Sequence, residues 1–422
     1  MANSSGKIFE LEGFAAVGMA ADALVPLTVD RTIPLPFGSE LLFLPDRKPV
    51  LFNLETRQIE TVAENPYHPG EAIWPVAAFN SPGYVLAYAC AYQENRHAGA
   101  LPLFSYGAVG WHRGGFRTAA IQVDRERRQD LRLMPLEKIT AGVRRMQKQM
   151  PENRLRRHLE TCALKYSCPA AKNFFIGRCE APLPTSRYCN ARCLGCISLQ
   201  KNNAISNCQE RIAFTPSSRE ISEIALCHIR RVKKSVVSFG QGCEGDPLLA
   251  ADVIEPAIRR IRAASSDGTI NMNTNASRPD ILDRLFTAGL DSIRVSMNSV
   301  RESCYKAYFR PNGYRFSDVT DSIDTARRHQ KFISMNYLNC PGFTDSPEEL
   351  NALIAFIHKH PVDLIQWRNL NFDPARYVRI MAKSARQGDP IGMETVLKKL
   401  KQAFPKIKFG YFNPPKEAFK SN

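Results

Sequence analysis

Val236-Val237-Ser238-Phe239-Gly240-Gln241-Gly242-Cys243-Glu244-Gly245-Asp246-Pro247 reads as a short apolar strand that breaks into a glycine-rich turn. Leu248 to Ala264 then reads as an amphipathic helix. The same unit recurs downstream. Strand Thr269–Thr274 precedes helix Pro279–Ala288, which stops at Gly289, and strand Ser292–Met297 follows. Helix Asp318–Gln330 leads to strand Phe332–Leu338, helix Pro347–His358 to strand Asp363–Trp367, and a last helix covers about Gly392–Phe404. Upstream, a helix with acidic residues in its first turns starts near Ser217 or Ser218 and runs toward Arg231. Apolar strands alternating with amphipathic helices call for a parallel sheet with helices outside it. Right-handed crossovers repeated in this way curl the sheet into a full or partial barrel, whose chemistry gathers at the C-terminal strand ends.

The remainder of the chain has another rhythm. Residues 1–125 read as a mostly-β region. Pro49–Asn53 and Gln58–Val62 flank a hairpin turn, Tyr84–Tyr92 is a further strand, and Phe104–Val109 and Phe116–Val123 flank the glycine-rich turn Gly110–Gly115. Residues 126–182 read as a basic helical connector with a cysteine-bearing segment, densest in charge from Arg144 to His158 and interrupted at Pro151. Residues 183–410 form the strand–helix repeat, and 411–422 a C-terminal tail.

The 422 residues are 44% hydrophobic and 23% charged, which excludes a mainly disordered chain. No run reaches the roughly 18 apolar residues of a membrane span, and Leu11–Thr28 lacks the basic start of a secretion signal. A cytoplasmic protein is the expectation. The net charge of +16 reads as a solvated basic surface and permits anionic partners such as nucleotides, RNA or phospholipid, although no RNA-binding signature is present. Twelve cysteines in a chain without a secretion signal read as metal ligands rather than disulfides, and seven of them lie between Cys162 and Cys208.

The sharpest of these is Cys189-Asn190-Ala191-Arg192-Cys193-Leu194-Gly195-Cys196. Three thiols on one short loop can face a cubic cluster and leave one of its irons free, since a 4Fe–4S cluster takes four ligands. Zinc needs a fourth donor to close a tetrahedron; no His lies between Cys196 and His228, and Cys208 keeps that alternative open.

This loop resembles the C-x3-C-x2-C signature of the radical S-adenosylmethionine (SAM) superfamily. The resemblance implies a partial (β/α)6 barrel within an α/β fold, with Cys189, Cys193 and Cys196 holding a 4Fe–4S cluster whose open iron is chelated by SAM. One electron then splits SAM into methionine and a 5′-deoxyadenosyl radical that abstracts hydrogen from a substrate. Gly240–Pro247 resembles the family's G-G-E-P turn for the SAM amine. Gly245 would allow close approach, and either Asp246 or Glu244 would supply the carboxylate. The resemblance places Asn273, Asn275, Ser296 and Asn298 at the strand ends against the ribose and carboxylate of SAM. It sets Arg368, at the sixth strand end, against an anionic group of SAM or substrate, with a structural ion pair as its other reading. Ser334–Leu338 with Pro341–Asp345 resembles the fifth strand and its loop.

Cys162, Cys168, Cys179 and Cys208 flank the triplet and offer a second, auxiliary 4Fe–4S cluster, with zinc or unligated thiols as alternatives. Cys90, Cys227, Cys304 and Cys340 read as buried or incidental, while Cys243 and Cys340 stand beside strand ends. The expected function is an oxygen-sensitive radical SAM enzyme fed by an electron donor such as flavodoxin or ferredoxin. One alternative is a peptide- or protein-modifying member that uses the N-terminal region for recognition. The alternative of another class is a non-catalytic iron–sulfur or zinc-binding protein.

Overall fold

The computed structural model describes residues 1–126, 130–200 and 205–419. Its central feature is a parallel sheet of seven strands in sequential order: β1 (Glu180–Pro182), β2 (Val236–Phe239), β3 (Thr269–Thr274), β4 (Ser292–Met297), β5 (Phe332–Asn339), β6 (Leu364–Asn369) and β7 (Lys408–Gly410). Six strands match the expected partial barrel, and short β7 extends the far edge beside β6.

Alternation along these strands sorts the two faces. Ile270, Met272, Ile293, Val295, Met297, Ile333, Met335, Tyr337, Ile365 and Trp367 are fully buried on the convex face, within the main core. The opposite face carries Ser238, Asn271, Asn273, Arg294, Ser296, Asn336, Gln366 and Arg368. Curling of the sheet is visible in the bonds that skip strands. Arg294 on β4 donates to Gln366 Oε1 on β6 at 3.0 Å. Asn413 bonds Glu180 at 2.8 Å and receives Gln366 Nε2 at 2.9 Å, so one side chain links β1 to β6.

Outside the sheet run α4 (Ser218–Arg231), α5 (Ala251–Ala264), α6 (Pro279–Ala288), α7 (Glu302–Phe309), α8 (Phe316–Arg328), α9 (Pro347–Lys359), α10 (Pro374–Ala382) and α11 (Met393–Ala403). The start of α4 is set by a reciprocal capping box between Ser217 and Glu220. Gly289 in the left-handed region ends α6. Helix α5 begins after a 3-10 turn at Pro247–Ala250, three residues later than its pattern suggests. Two short helices, α7 and α10, lack a long enough apolar stripe to be read in advance. Both turn out to buttress the loops above the sheet.

The connector forms α1 (Leu136–Gln149), α2 (Arg154–Leu164) and α3 (Pro169–Ile176), with Pro151 in the break between α1 and α2. The N-terminal region is antiparallel. Arg47–Asn53 pairs with Ile59–Thr61, and Gly107–His112 with Gly115–Thr118. The stretch Tyr84–Tyr92 divides into separate strands because its partners change: Tyr84–Leu86 pairs with Ala120–Gln122, and Ala89–Cys90 with Phe14–Ala20. This region is bonded to the C-terminal strand ends of the barrel. Asn369 receives Leu86 N and donates to Tyr84 O, both at 2.9 Å, and Asn339 donates to Leu86 O at 2.9 Å. Residues 411–419 pass beneath the opposite end, where Lys416 N meets Thr269 Oγ1 at 2.7 Å and Phe419 stacks on Phe332. No helix among the described residues is long and apolar enough to cross a membrane.

Candidate active site

The cysteine loop leaves β1 at the C-terminal edge of the sheet and is fastened on both sides. Arg192 N and Leu194 N donate to Phe309 O and Tyr308 O at the end of α7, at 2.8 and 3.0 Å. Asn190 donates to Ser277 Oγ at 2.9 Å and receives Asn275 Nδ2 at 2.7 Å. Cys189, Cys193 and Cys196 are all partly buried free thiols. Arg211 Nη2 reaches Cys196 Sγ at 3.5 Å. Burial, with Asp246 nearby, pushes the Cys189 thiol up to about 12. Burial raises Cys193 too, reinforced by the other two thiols. Burial thus disfavours the thiolates of Cys189 and Cys193, which a bound cation would stabilise.

The glycine-rich turn clamps the approach to this loop. Glu244 is buried, and its carboxylate accepts four backbone N–H bonds. Gly240 and Gln241 donate to Oε1 at 2.7 and 2.8 Å, and Thr185 and Ser186 to Oε2 at 2.7 and 2.9 Å. Burial pushes its carboxyl up to about 7 against the downward pull of those donors. Gly245 N donates to Ser186 O at 2.6 Å, and a Cβ at Gly245 would collide with the Tyr188 carbonyl. Only glycine lets the turn lie this close to the segment before the triplet. Asp246 is equally committed. Its oxygens receive Thr274 Oγ1 at 2.8 Å, Leu248 N at 3.1 Å and Asn275 N at 2.7 Å, and burial raises its carboxyl to about 6. Both acids therefore tie strand ends together.

The strand-end residues divide in two. Asn273 donates to Gly240 O at 3.0 Å and joins the concave polar face. Ser296 on that face is half-buried and stands in register with Asn336, whose buried Oδ1 has no partner. Asn275 N and Nδ2 are both engaged by Asp246 and Asn190. Asn298 turns toward the helices, donating to Cys304 O at 3.2 Å and Tyr377 Oη at 3.1 Å. Arg368 lies over the Tyr411 ring, 3.6 Å from its centroid. Beside it is Arg294, a residue the sequence reading passed over. Burial and the Arg368 charge disfavour its cation, and its Nε is buried without a partner. The signal was the stripe Ser292-x-Arg294-x-Ser296 opposite Ile293, Val295 and Met297.

Among the described residues, no three of the four flanking thiols have their sulfurs within 4.8 Å of one another. Cys208 is exposed and its Sγ donates to Leu103 O at 3.4 Å. Cys179 lies buried where its carbonyl meets His228 Nε2 at 3.1 Å. Cys162 and Cys168 stay together, with Cys168 N donating to Cys162 O at 2.9 Å, and they are joined by His158 and Cys243.

The sheet curls into a half-barrel with the thiol loop and the glycine-rich turn at its C-terminal mouth. Residues 183–356 match the family model of the Radical SAM superfamily, so the chain carries a radical SAM domain. That superfamily uses a 4Fe–4S cluster and SAM. A GTP 3′,8-cyclase of Lactiplantibacillus plantarum is 28% identical over 178 residues, 42% of this chain and 49% of that protein. The corresponding enzyme of Limosilactobacillus fermentum is 27% identical over 188 residues, with the same coverage, 42% and 49%. The chain spans about half the length of these curated relatives, 49% of each. Among solved structures, Streptococcus suis SuiB bound to precursor peptide SuiA is 14% identical, with a TM-score of 0.38 over 60% of this chain and 52% of that one, too loose a likeness to support an argument.

The donor set fits the cluster. Among the described residues, the three His, Cys, Asp or Glu ligand atoms gathered within 4.8 Å of one another are those of His158, Cys162 and Cys243, not the triplet. At least one pair of the triplet's sulfurs therefore stands more than 4.8 Å apart, which leaves room for a cluster bulkier than a single ion.

Proposed function

We propose that this protein is a radical SAM enzyme acting on an anionic substrate, in a reducing cytoplasmic compartment. Cys189, Cys193 and Cys196 would hold the 4Fe–4S cluster, which supplies reductive cleavage of SAM when bound. The observation that carries the reading is the triplet itself: three half-buried thiols on a loop pinned to α7, at the C-terminal edge of a parallel half-barrel. Glu244 and Asp246 then serve by holding the glycine-rich turn, so that its free backbone groups, rather than their own carboxylates, present to the amine of SAM.

The substrate class rests on the concave face. Burial and the neighbouring Arg368 charge disfavour the Arg294 cation, and on the inner face of the strands only Glu180 is a carboxylate. Arg294 stands on the concave face and is only partly buried. Guanidinium does not give up its proton, so the imbalance calls for an anion, a carboxylate or a phosphate. Anaerobic reconstitution tests the reading: about four iron per chain and 5′-deoxyadenosine on adding SAM and dithionite are expected. Absence of SAM cleavage in iron-loaded protein would overturn it.

A second reading, modification of a peptide or protein, is favoured by a cavity of about 830 Å³ in the N-terminal region, lined by Phe9, Phe14, Leu27, Trp111 and Phe116. Such a groove suits apolar side chains of an extended segment. Weaker peptide binding in a Trp111→Ala variant, with SAM cleavage in the absence of peptide unaltered, would select it.

A further inference from the structure

His158 and Cys162 are four residues apart on α2 and therefore share one face of that helix. Cys243 reaches the same point from the glycine-rich turn after β2, held there by Ile212 N donating to its carbonyl at 2.8 Å. The ligand atoms of all three lie within 4.8 Å of one another, and Cys162 Sγ is 3.5 Å from His158 Nε2. Both thiols are buried. Cys168 caps α3 just beyond, and its thiol faces both Cys162 and Cys243 electrostatically.

Distance decides which metal chemistry suits this group. Zn–S of about 2.3 Å and Zn–N of about 2.0–2.1 Å, at the tetrahedral angle, put an S···N edge at about 3.5 Å and an S···S edge at about 3.8 Å. The observed separation has the length of such an edge. Thiolates on different irons of a cluster stand wider, and the triplet's three sulfurs are not all within 4.8 Å of one another. We infer that His158, Cys162 and Cys243, with Cys168 as fourth donor, form a structural site for a single thiophilic divalent ion of the zinc type. The ion staples α2 to the glycine-rich turn, whose Glu244 and Asp246 organise the approach to the cysteine loop. The second metal centre is then mononuclear, drawn from two of the four cysteines the sequence offers and from two residues outside that set.

Metal analysis of anaerobically purified full-length protein should find one zinc per chain in addition to the triplet's iron. Cobalt(II) exchanged into the site should give thiolate-to-cobalt charge-transfer bands and tetrahedral d–d absorption. Cys162→Ser and His158→Ala should each lose the zinc while keeping the iron. His158 is only partly buried, so its variant reports even where Cys162→Ser fails to fold. The inference is overturned by about eight iron per chain falling to about four in Cys162→Ser. A Cys162–Cys243 disulfide without bound metal, or wild-type protein that takes up neither zinc nor cobalt, would overturn it equally. None of these readings depends on SAM cleavage, so loss of the enzymatic proposal leaves this one standing.

Discussion

The two thiol groups of this protein are built on opposite plans. The triplet comes from one eight-residue loop whose three sulfurs are not all within 4.8 Å of one another and whose backbone is held by the end of α7. The second group is assembled from α2 and the β2 turn, and its ligand atoms are gathered within 4.8 Å. A loop can offer several sulfurs to a bulky cluster while an outer iron stays open. A helix face and a turn, each fixed by its own core, converge on a point and suit a closed single-ion site. On the proposed reading, function and stability would be divided between the two thiol groups.

The strongest way to break this division is to remove a sulfur from each. Cys193→Ala is expected to drop iron far below wild type and 5′-deoxyadenosine to the level of protein-free controls, while zinc stays bound; combined iron, zinc and nucleoside analysis checks it. Cys243→Ser should do the reverse to metal content, losing zinc and keeping iron. Because the binding energy of a structural ion is folding energy, its melting temperature should fall by roughly 5–15 °C, read by calorimetry under anaerobic conditions. Loss of both metals in both variants would show one coupled centre instead of two.

The contrast also explains what the sequence could disclose. The triplet was legible because all its ligands fall within one turn of chain, and Val236–Phe239 with its glycine-rich turn was legible because strand and turn are contiguous. His158 and Cys243 were not, since each is a lone residue whose partner is set only by the way α2 packs on the barrel. Grouping Cys162 and Cys168 with Cys179 and Cys208 followed proximity along the chain; packing sets the Cys179 carbonyl against His228 and the Cys208 thiol against Leu103 O. Glu244 and Asp246 were recognisable as site residues, but not their engagement by backbone donors, because that depends on how closely Gly245 approaches Tyr188. The helices α7 and α10 escaped notice for want of length, and Arg294 because a polar stripe inside an apolar strand was not weighed.

A smaller effect separates binding from folding on the concave face. Arg294→Met removes a buried cation that has Arg368 beside it and an unpartnered Nε. The ligand-free protein should gain about 1–3 kcal/mol, since exchanging a poorly compensated buried charge for apolar volume is often stabilising. Anion binding should weaken at least tenfold, measured by calorimetric titration with SAM and separately with candidate phosphorylated or carboxylated substrates. Weakening confined to SAM would assign the arginine pair to its carboxylate; weakening confined to the second ligand would assign it to substrate. A destabilised variant would mean that the lumen already balances its charge.

The gentlest perturbation acts on the clasp between the connector and the barrel. Glu220 receives Arg154 N and Nε at 2.9 Å and Arg154 Nη2 at 2.7 Å, tying the first turn of α2 to the first turn of α4. The Arg154 hydrogen bond holds the Glu220 carboxyl down at about 2, below its ordinary value of 4.5. A depressed folded value means that the stabilisation is complete above about pH 4.5 and is lost as the pH falls toward 2. Glu220→Gln should therefore cost about 0.5–1 kcal/mol at neutral pH, the range of a partly exposed pair, and its stability should fall less steeply between pH 4.5 and 2 than that of wild type. Because α2 carries His158 and Cys162, the same variant should release zinc to a chelator a few-fold faster and leave the triplet's iron untouched. Equal release rates would mean that the second centre holds α2 in place without the clasp, making the ion rather than the ion pair the fastening of the connector to the barrel.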